Sequence, residues 1–237
     1  MKNKLHLPNV TLFAATSLEV EQANFNLKIS SDYIEFAEIK LLSSSLPTKK
    51  HEKIKYVSIP SMKIFDYNRL IIEDLYKYFN TSHCLILQSD SFVVDANLWK
   101  KEFLNFDYIG APWPKKIKIN SNLILDMEKN QVGNGGFSLR SHKLAKITSK
   151  INYKEIKFPI KSEDIIICHY LYKKMLDNGI NFAPPELAAK FSMENVNCLY
   201  GQNENSVFGF HGKHLREYFY DAWTKKTLSK INPQKKE

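Results

Sequence analysis

The 237-residue sequence has no two cysteines placed to act together, because its three, Cys84, Cys168 and Cys198, are odd in number and widely spaced. A disulfide scaffold is therefore excluded, and with no Cys-x-x-Cys the usual zinc and redox arrangements go with it. All three are expected as buried thiols in a reducing compartment. Long apolar runs are also missing: none approaches the ~18 residues that a membrane-crossing helix requires. Lys2 and Lys4 do precede Leu12, Phe13, Ala14 and Ala15, but His6, Pro8, Asn9 and Thr11 interrupt that stretch. It reads as a first strand rather than an export signal, and a cytoplasmic location is expected. No fixed-period repeat, low-complexity block or linker divides the chain. The one tail-like piece is the polar, lysine-containing end from Thr224 to Glu237, in which Pro233 makes the last residues a poor helix, leaving residues 1–223 as a single domain.

Acidic residues are in short supply. Against 34 Lys and Arg stand 25 Asp and Glu, a formal net charge of +9, which favours a polyanionic partner: nucleic acid, an anionic lipid surface or a phosphorylated substrate. Arg140, Lys143, Lys146, Lys150, Lys154, Lys157 and Lys161 recur every three or four residues against one acid, Glu155. This stretch reads as a solvated basic face, with peripheral contact to an anionic membrane as its functional alternative. No zinc finger, basic zipper or aromatic ribonucleoprotein signature accompanies the charge, so nucleic acid is not the expected partner.

What is present is an ordinary core-forming composition, 43% hydrophobic and 25% charged, with strands and helices in alternation. Val10 to Thr16 is predicted as a buried strand, followed by a helix from about Leu18 to Ile29. Strands are predicted at Phe36 to Leu42 and Ile54 to Ile59. Pro60 and Ser61 then lead into a helix with Ile64, Leu70, Ile71, Leu75 and Tyr78 inward. The continuous apolar run Cys84 to Leu87 is of the kind buried on both faces in a parallel sheet. A short helix is predicted around Leu98 to Leu104, a long one from Glu163 to Leu176, and a last strand at Val207 to His211. The order implies an α/β sheet, mainly parallel, with antiparallel additions late in the chain.

Two phosphate-binding signatures are absent. Gly133-Asn134-Gly135-Gly136-Phe137 fails G-x-G-x-x-G because Ser138 follows, and no Gly-Lys-Ser/Thr loop occurs. The glycine run is either a tight Asn-Gly turn entering a strand or backbone bared for close approach to a ligand. Asp90, just past the apolar strand, stands where ligands meet open α/β sheets; it serves either as a turn residue or as a carboxylate holding a divalent cation against a diphosphate. Ser162-Glu163-Asp164 suits a helix start by capping and macrodipole, or else supplies a general base. His211, before Gly212, is a hydrogen-bonded strand end or a metal ligand.

Taken in order, Gln88-Ser89-Asp90, Tyr108-Ile109-Gly110-Ala111-Pro112-Trp113-Pro114, Val132 to Arg140, Glu163-Asp164 and Phe208 to Gly212 resemble an uncharacterised family of bacterial and viral glycosyltransferase-like domains. The opening Leu7 to Leu12 resembles it too, so the likeness runs over roughly residues 7 to 215. It implies a GT-A fold: a nucleotide-sugar donor over a Rossmann-like half and a glycan or other hydroxyl acceptor over the later half, with transfer assisted by Mn2+ or Mg2+, inverting where Asp164 is the base and retaining as the alternative. The metal motif of that fold is Asp-x-Asp, and here Gln88 replaces its first acid and Asp90 keeps the last. By the same likeness His211 completes the metal site. Asp164, with Glu163 as its neighbour, supplies the base. Thr16 and Ser17 meet the nucleotide beside Gln88 and Asp90, and Trp113, Gly135 and Gly136 border the acceptor. Two other readings share these parts. An inactive glycan- or polyanion-binding module is favoured by Gln88. A nucleotidyltransferase is disfavoured because residues 14–20 carry neither glycine nor lysine.

Overall fold

The computed structural model describes residues 4–194, 200–203 and 205–231. In chain order its main elements are β1 (Leu5–Thr16), α1 (Val20–Ser31), β2 (Ile34–Ser43), β3 (Lys55–Ser58), α2 (Ile64–Arg69), β4 (His83–Leu87), β5 (Ser91–Val93), β6 (Tyr108–Ile109), β7 (Lys116–Asn120), β8 (Leu123–Asp126), β9 (Phe137–Ser141), α3 (His142–Thr148), α4 (Glu163–Ile165), α5 (Tyr172–Asp177), α6 (Pro185–Phe191), β10 (Ser192–Met193), β11 (Gly209–His211) and α7 (Lys213–Ile231). A six-stranded sheet runs β3-β2-β1-β4-β9-β6. Its β1 to β4 pairings are parallel, and β9 is antiparallel to both β4 and β6.

Period-two alternation builds the two faces of this sheet. Val10, Leu12 and Ala14 of β1 and Leu85 and Leu87 of β4 join α1 through Ala23 and Leu27. Phe13 and Ala15, with Cys84 and Ile86, join Tyr67, Leu70, Ile71 and Leu75 on the other face. All five residues of β4 are buried. At roughly 1.5–3 kcal/mol for each fully buried large apolar side chain, this strand is firmly anchored in the sheet. Its carboxyl end, where Gln88 to Asp90 emerge, is correspondingly fixed. Cys84 and Cys168 are buried thiols, as expected, and Cys198 lies outside the described residues.

The structure departs from the sequence reading in several places. Ile64, assigned to the inner side of its helix, is 74% exposed, because α2 begins at that residue and its first turn projects past the sheet. Helix α2 then widens into a π turn at Leu70–Asp74 and tightens through Leu75–Lys77. The long helix expected from Glu163 to Leu176 is broken: α4 passes into a π turn at Ile166–Tyr170, and α5 restarts at Tyr172. The Asn130 Nδ2 amide donates to the Cys168 carbonyl at 2.8 Å, taking an acceptor from the helical ladder, while the Leu171 N–H reaches back to Ile166 O. The last strand is shorter than expected and stands in a separate sheet, β10-β11-β5, closed over by Ile29, Val94, Leu215 and Phe219. Helix α7 continues through 224–231, the first part of the expected tail.

The basic stretch is not one helical face either. Lys143 and Lys146 lie on α3, Lys154 lies in a short 3-10 turn at Tyr153–Glu155, Lys150, Lys157 and Lys161 lie outside helices and strands, and Arg140 is a buried residue of β9. Among the described residues, no helix is long and apolar enough to cross a membrane.

Candidate functional site

Three loops converge where β1, β4 and β9 meet: residues 16–19 after β1, residues 88–90 after β4, and the turn 133–136 before β9. A cavity of about 220 Å³ opens between the first two and is lined by Thr16, Ser17, Tyr67, Gln88 and Ser89. It lies beyond the carboxyl ends of parallel strands, the position at which open α/β sheets take their ligands. Asn26, buried on α1, donates to Ser89 O at 2.9 Å and so ties that helix to the exit of β4. Ser17 Oγ accepts from the Met62 N–H at 2.7 Å, fixing the loop after β1 against the entrance to α2.

The 88–90 loop meets His211 directly. Nε2 of His211 stands 3.1 Å from Gln88 Oε1 and 3.4 Å from Asp90 Oδ1, while the Gln88 amide nitrogen donates to the Tyr67 hydroxyl at 3.0 Å. On the other side of the ring, Nδ1 lies 3.5 Å from Glu194 Oε1 and 2.9 Å from Asn134 Nδ2. Burial alone would lower the pKa of His211, but its contacts with Asp90 and Glu194 overturn that and push it up to about 10. For Asp90 burial again acts first, to raise its pKa, and the hydrogen bond and charge of His211 more than reverse it.

The protonation of the ring is contested within the site itself. Oδ1 of Asn134 accepts from the Gly136 and Phe137 N–H groups, which turns its NH2 toward Nδ1 and requires a lone pair there. Glu194 on the same edge draws a proton to Nδ1. In either state Nε2 carries a proton toward Gln88 and Asp90, so a cation bound there displaces it.

These atoms suit a divalent cation by donor chemistry: one carboxylate oxygen, one carboxamide oxygen and one imidazole nitrogen. Neighbouring ligands of an octahedral Mg2+, each at ~2.1 Å, stand about 3.0 Å apart, close to the separations around Nε2. The set contains only two of the strongest ligand types, and among the described residues no group of three His, Cys, Asp or Glu is placed to hold a metal. Substrate phosphates and water would have to supply the remaining ligands.

The turn 133–136 links this cluster to the acidic pair. Asn134 adopts φ 60°, and Gly135 and Gly136 are required by what stands behind them. A Cβ on Gly136 would come 2.0 Å from His211 Cδ2, and one on Gly135 would come 1.8 Å from Glu163 Oε1. The glycines of this turn, which enters β9, are demanded by packing on both flanks. The Gly135 N–H donates to Asp164 Oδ2 at 2.9 Å, and the Ile165 N–H to Asp164 Oδ1 at 2.8 Å. His211 and Asp164 therefore flank one turn.

Glu163 and Trp113 sit elsewhere than expected. Glu163 is 3% exposed and forms a two-pronged ion pair with Arg140, at 2.6 and 2.7 Å. Burial raises its pKa and Arg140 opposes the rise. Trp113, expected beside an acceptor, is 4% exposed, and its ring packs under Gly133. It supports the turn from within the core. Sequence reasoning missed Glu194, Asn134 as a hinge between clusters, and Arg140, which it placed on a solvated face. The signal for Arg140 was its place in Phe137-Ser138-Leu139-Arg140-Ser141, a strand pattern in which a basic side chain needs a buried acid.

The mainly parallel α/β sheet, flanked by helices and extended by antiparallel strands, is a GT-A-like fold. The glycosyltransferase GlyE of Streptococcus pneumoniae TIGR4, in its apo form, superposes with a TM-score of 0.54 at 12% identity over 94% of this chain. This chain spans 64% of the GlyE chain. Lower similarity is found to the galactosyltransferase LgtC in complex with donor and acceptor sugar analogues, with a TM-score of 0.49, 13% identity, and 91% and 95% of the two chains covered. The mannosyltransferase PcManGT of Pyrobaculum calidifontis, in complex with GDP-Man and Mn2+, gives 0.45 at 10% identity, with 78% and 58% covered. No curated protein sequence matches. The chain belongs to the DUF5672 family, described as proteins of unknown function, whose match spans residues 53–211.

Proposed function

We propose that the protein is a glycosyltransferase moving a sugar from a nucleotide-diphosphate donor to an acceptor hydroxyl. The observation that carries this reading is the single turn Asn134-Gly135-Gly136, with a candidate cation site on one flank and a candidate base on the other. Transfer needs those two functions within a sugar's width of each other. Thr16, Ser17, Gln88 and Ser89 would take the nucleotide in the cavity after β1, leaving its diphosphate beside Asp90 and His211. A divalent cation held by Asp90 and His211, with the Gln88 carboxamide oxygen, would supply positive charge to the departing diphosphate.

Asp164 is the base in this reading. Its carboxylate takes the proton of the acceptor hydroxyl as the new C–O bond forms, and the donor's C–O bond breaks with the electron pair leaving on the diphosphate. Glu163, closed in by Arg140, is not available for that role. Attack from the side opposite the diphosphate inverts the anomeric centre. The backbone N–H groups of Gly135 and Ile165 hold the Asp164 carboxylate in one orientation, which is what a base acting at a fixed angle requires.

A second reading, a binding module that holds a nucleotide-sugar or glycan without turnover, is favoured by the neutral Gln88 and the short ligand set. Incubation with a panel of nucleotide-sugars, Mn2+ and simple glycan acceptors separates the readings by the phosphorus product. Release of a nucleoside diphosphate with glycosylated acceptor is expected. Pyrophosphate would identify nucleotidyl transfer, and saturable binding with no product would identify the module.

A further inference from the structure

We infer that Arg140 is a positioning residue that locks the turn Asn134-Gly135 against Asp164 and thereby sets the attitude of the base; the inference rests on the reading of Asp164 given above. Arg140 is 1% exposed, one of the largest fully buried side chains in the described structure. Its guanidinium spends its donors in three directions. Nη1 and Nη2 grip Glu163 at 2.6 and 2.7 Å, Nε donates to Ser138 Oγ at 3.0 Å, and Nη2 also lies 3.4 Å from the Tyr108 hydroxyl, with the guanidinium carbon 4.9 Å from that ring's centre.

Each partner of Arg140 then holds part of the turn. Ser138 Oγ donates to the Gly135 carbonyl at 3.0 Å, and the Tyr108 hydroxyl donates to the Asn134 carbonyl at 3.1 Å. Glu163 is the chain neighbour of Asp164, and its Oε1 fills the place a Cβ of residue 135 would occupy. The Gly135 N–H, whose carbonyl neighbours on both sides are thus fixed, donates to Asp164. Arg140 touches Ser138, Tyr108 and Glu163, and those three determine where Gly135 and Asp164 meet. A lysine cannot reproduce this, since a single ammonium lacks the planar fork.

Stability alone does not account for the arrangement. A buried ion pair costs so much desolvation that apolar residues of similar volume replace it with little or no loss, whereas removing one partner leaves an unpaired charge. That asymmetry provides the test. The double variant Arg140→Met/Glu163→Leu removes both charges together, and Arg140→Lys keeps the charge without the fork. For each, thermal melting, NMR exchange of the Gly135 amide, and kcat and KM for the donor are measured against wild type.

The double variant is expected to melt cooperatively, keep donor KM within ~2-fold, lose ~10- to 100-fold in kcat, and exchange the Gly135 amide ~10-fold faster while amides of β1 and β4 stay protected. Arg140→Lys should recover part of the kcat. A folded double variant with wild-type kcat and wild-type Gly135 protection would overturn the inference. If the double variant does not fold, Arg140→Lys decides: reduced kcat at constant KM with faster Gly135 exchange supports the role, and wild-type values for both overturn it. Absence of transfer by the wild-type protein would sink the transferase reading alone. Gly135 exchange in the variants would still support or overturn the clamp.

Discussion

His211 stands between opposed demands, and its behaviour with pH follows from them. Its folded-state pKa is raised to about 10 from an ordinary 6.5, by Asp90 and Glu194 acting against burial. A group that binds its proton more tightly when folded adds stability that is complete below its unfolded pKa and disappears as the pH rises through the folded one. The stability advantage of wild type over His211→Gln should therefore be largest below about pH 6.5 and shrink toward pH 10. Urea denaturation across that range measures it. A difference independent of pH would mean that the Asn134 amide, not the carboxylates, sets the ring's state. Since a cation must displace the Nε2 proton, Mn2+ affinity should rise over the same window.

At the scale of elements, the site depends on how firmly the exits of β1 and β4 are held. Asn26 on α1 is fully buried and donates across the layer to the backbone of Ser89. Asn26→Ala strands that carbonyl and should cost about 1–3 kcal/mol. It should also weaken Mn2+ binding, because the loop bearing Asp90 loses its tether; denaturation and metal titration of the same variant check both, and unaltered binding would detach α1 from the site. Strands β1 to β4 and α1 were legible in the sequence because burial leaves a direct hydrophobic pattern, as in Cys84 to Leu87. The break at Leu171 was not legible, since it depends on a hydrogen bond to the Cys168 carbonyl from Asn130, thirty-eight residues before that cysteine. Asp90, Asp164 and His211 could be named from motif order. Arg140 was missed, because its charge joined a run of lysines in sequence and a buried carboxylate only in space; the strand pattern around it was the one sign of its burial.

For the whole molecule, packing on both faces of the six-stranded sheet is what positions the site. The core holds β4 still, β9 returns beside it antiparallel, and the turn before β9 gathers groups from positions 90, 164 and 211. A diphosphate entering the cavity would meet the Asp90 carboxylate. A nucleoside diphosphate should consequently bind much more weakly in EDTA than in Mn2+, by calorimetry. Equal affinities would leave Asp90 a turn residue and take the cation out of the account.

The central claim, that Asp164 takes the acceptor's proton, is tested most directly by Asp164→Asn with the donor and acceptor the wild-type protein uses. The substitution keeps the shape of the side chain and lets the amide oxygen go on accepting the Gly135 N–H, at the cost of the Ile165 N–H contact, but it cannot accept the acceptor's proton. Turnover should fall by ~10² or more while calorimetric donor affinity stays at the wild-type value. Turnover retained at the wild-type rate would contradict the account, leaving Asp164 as no more than the start of a helix.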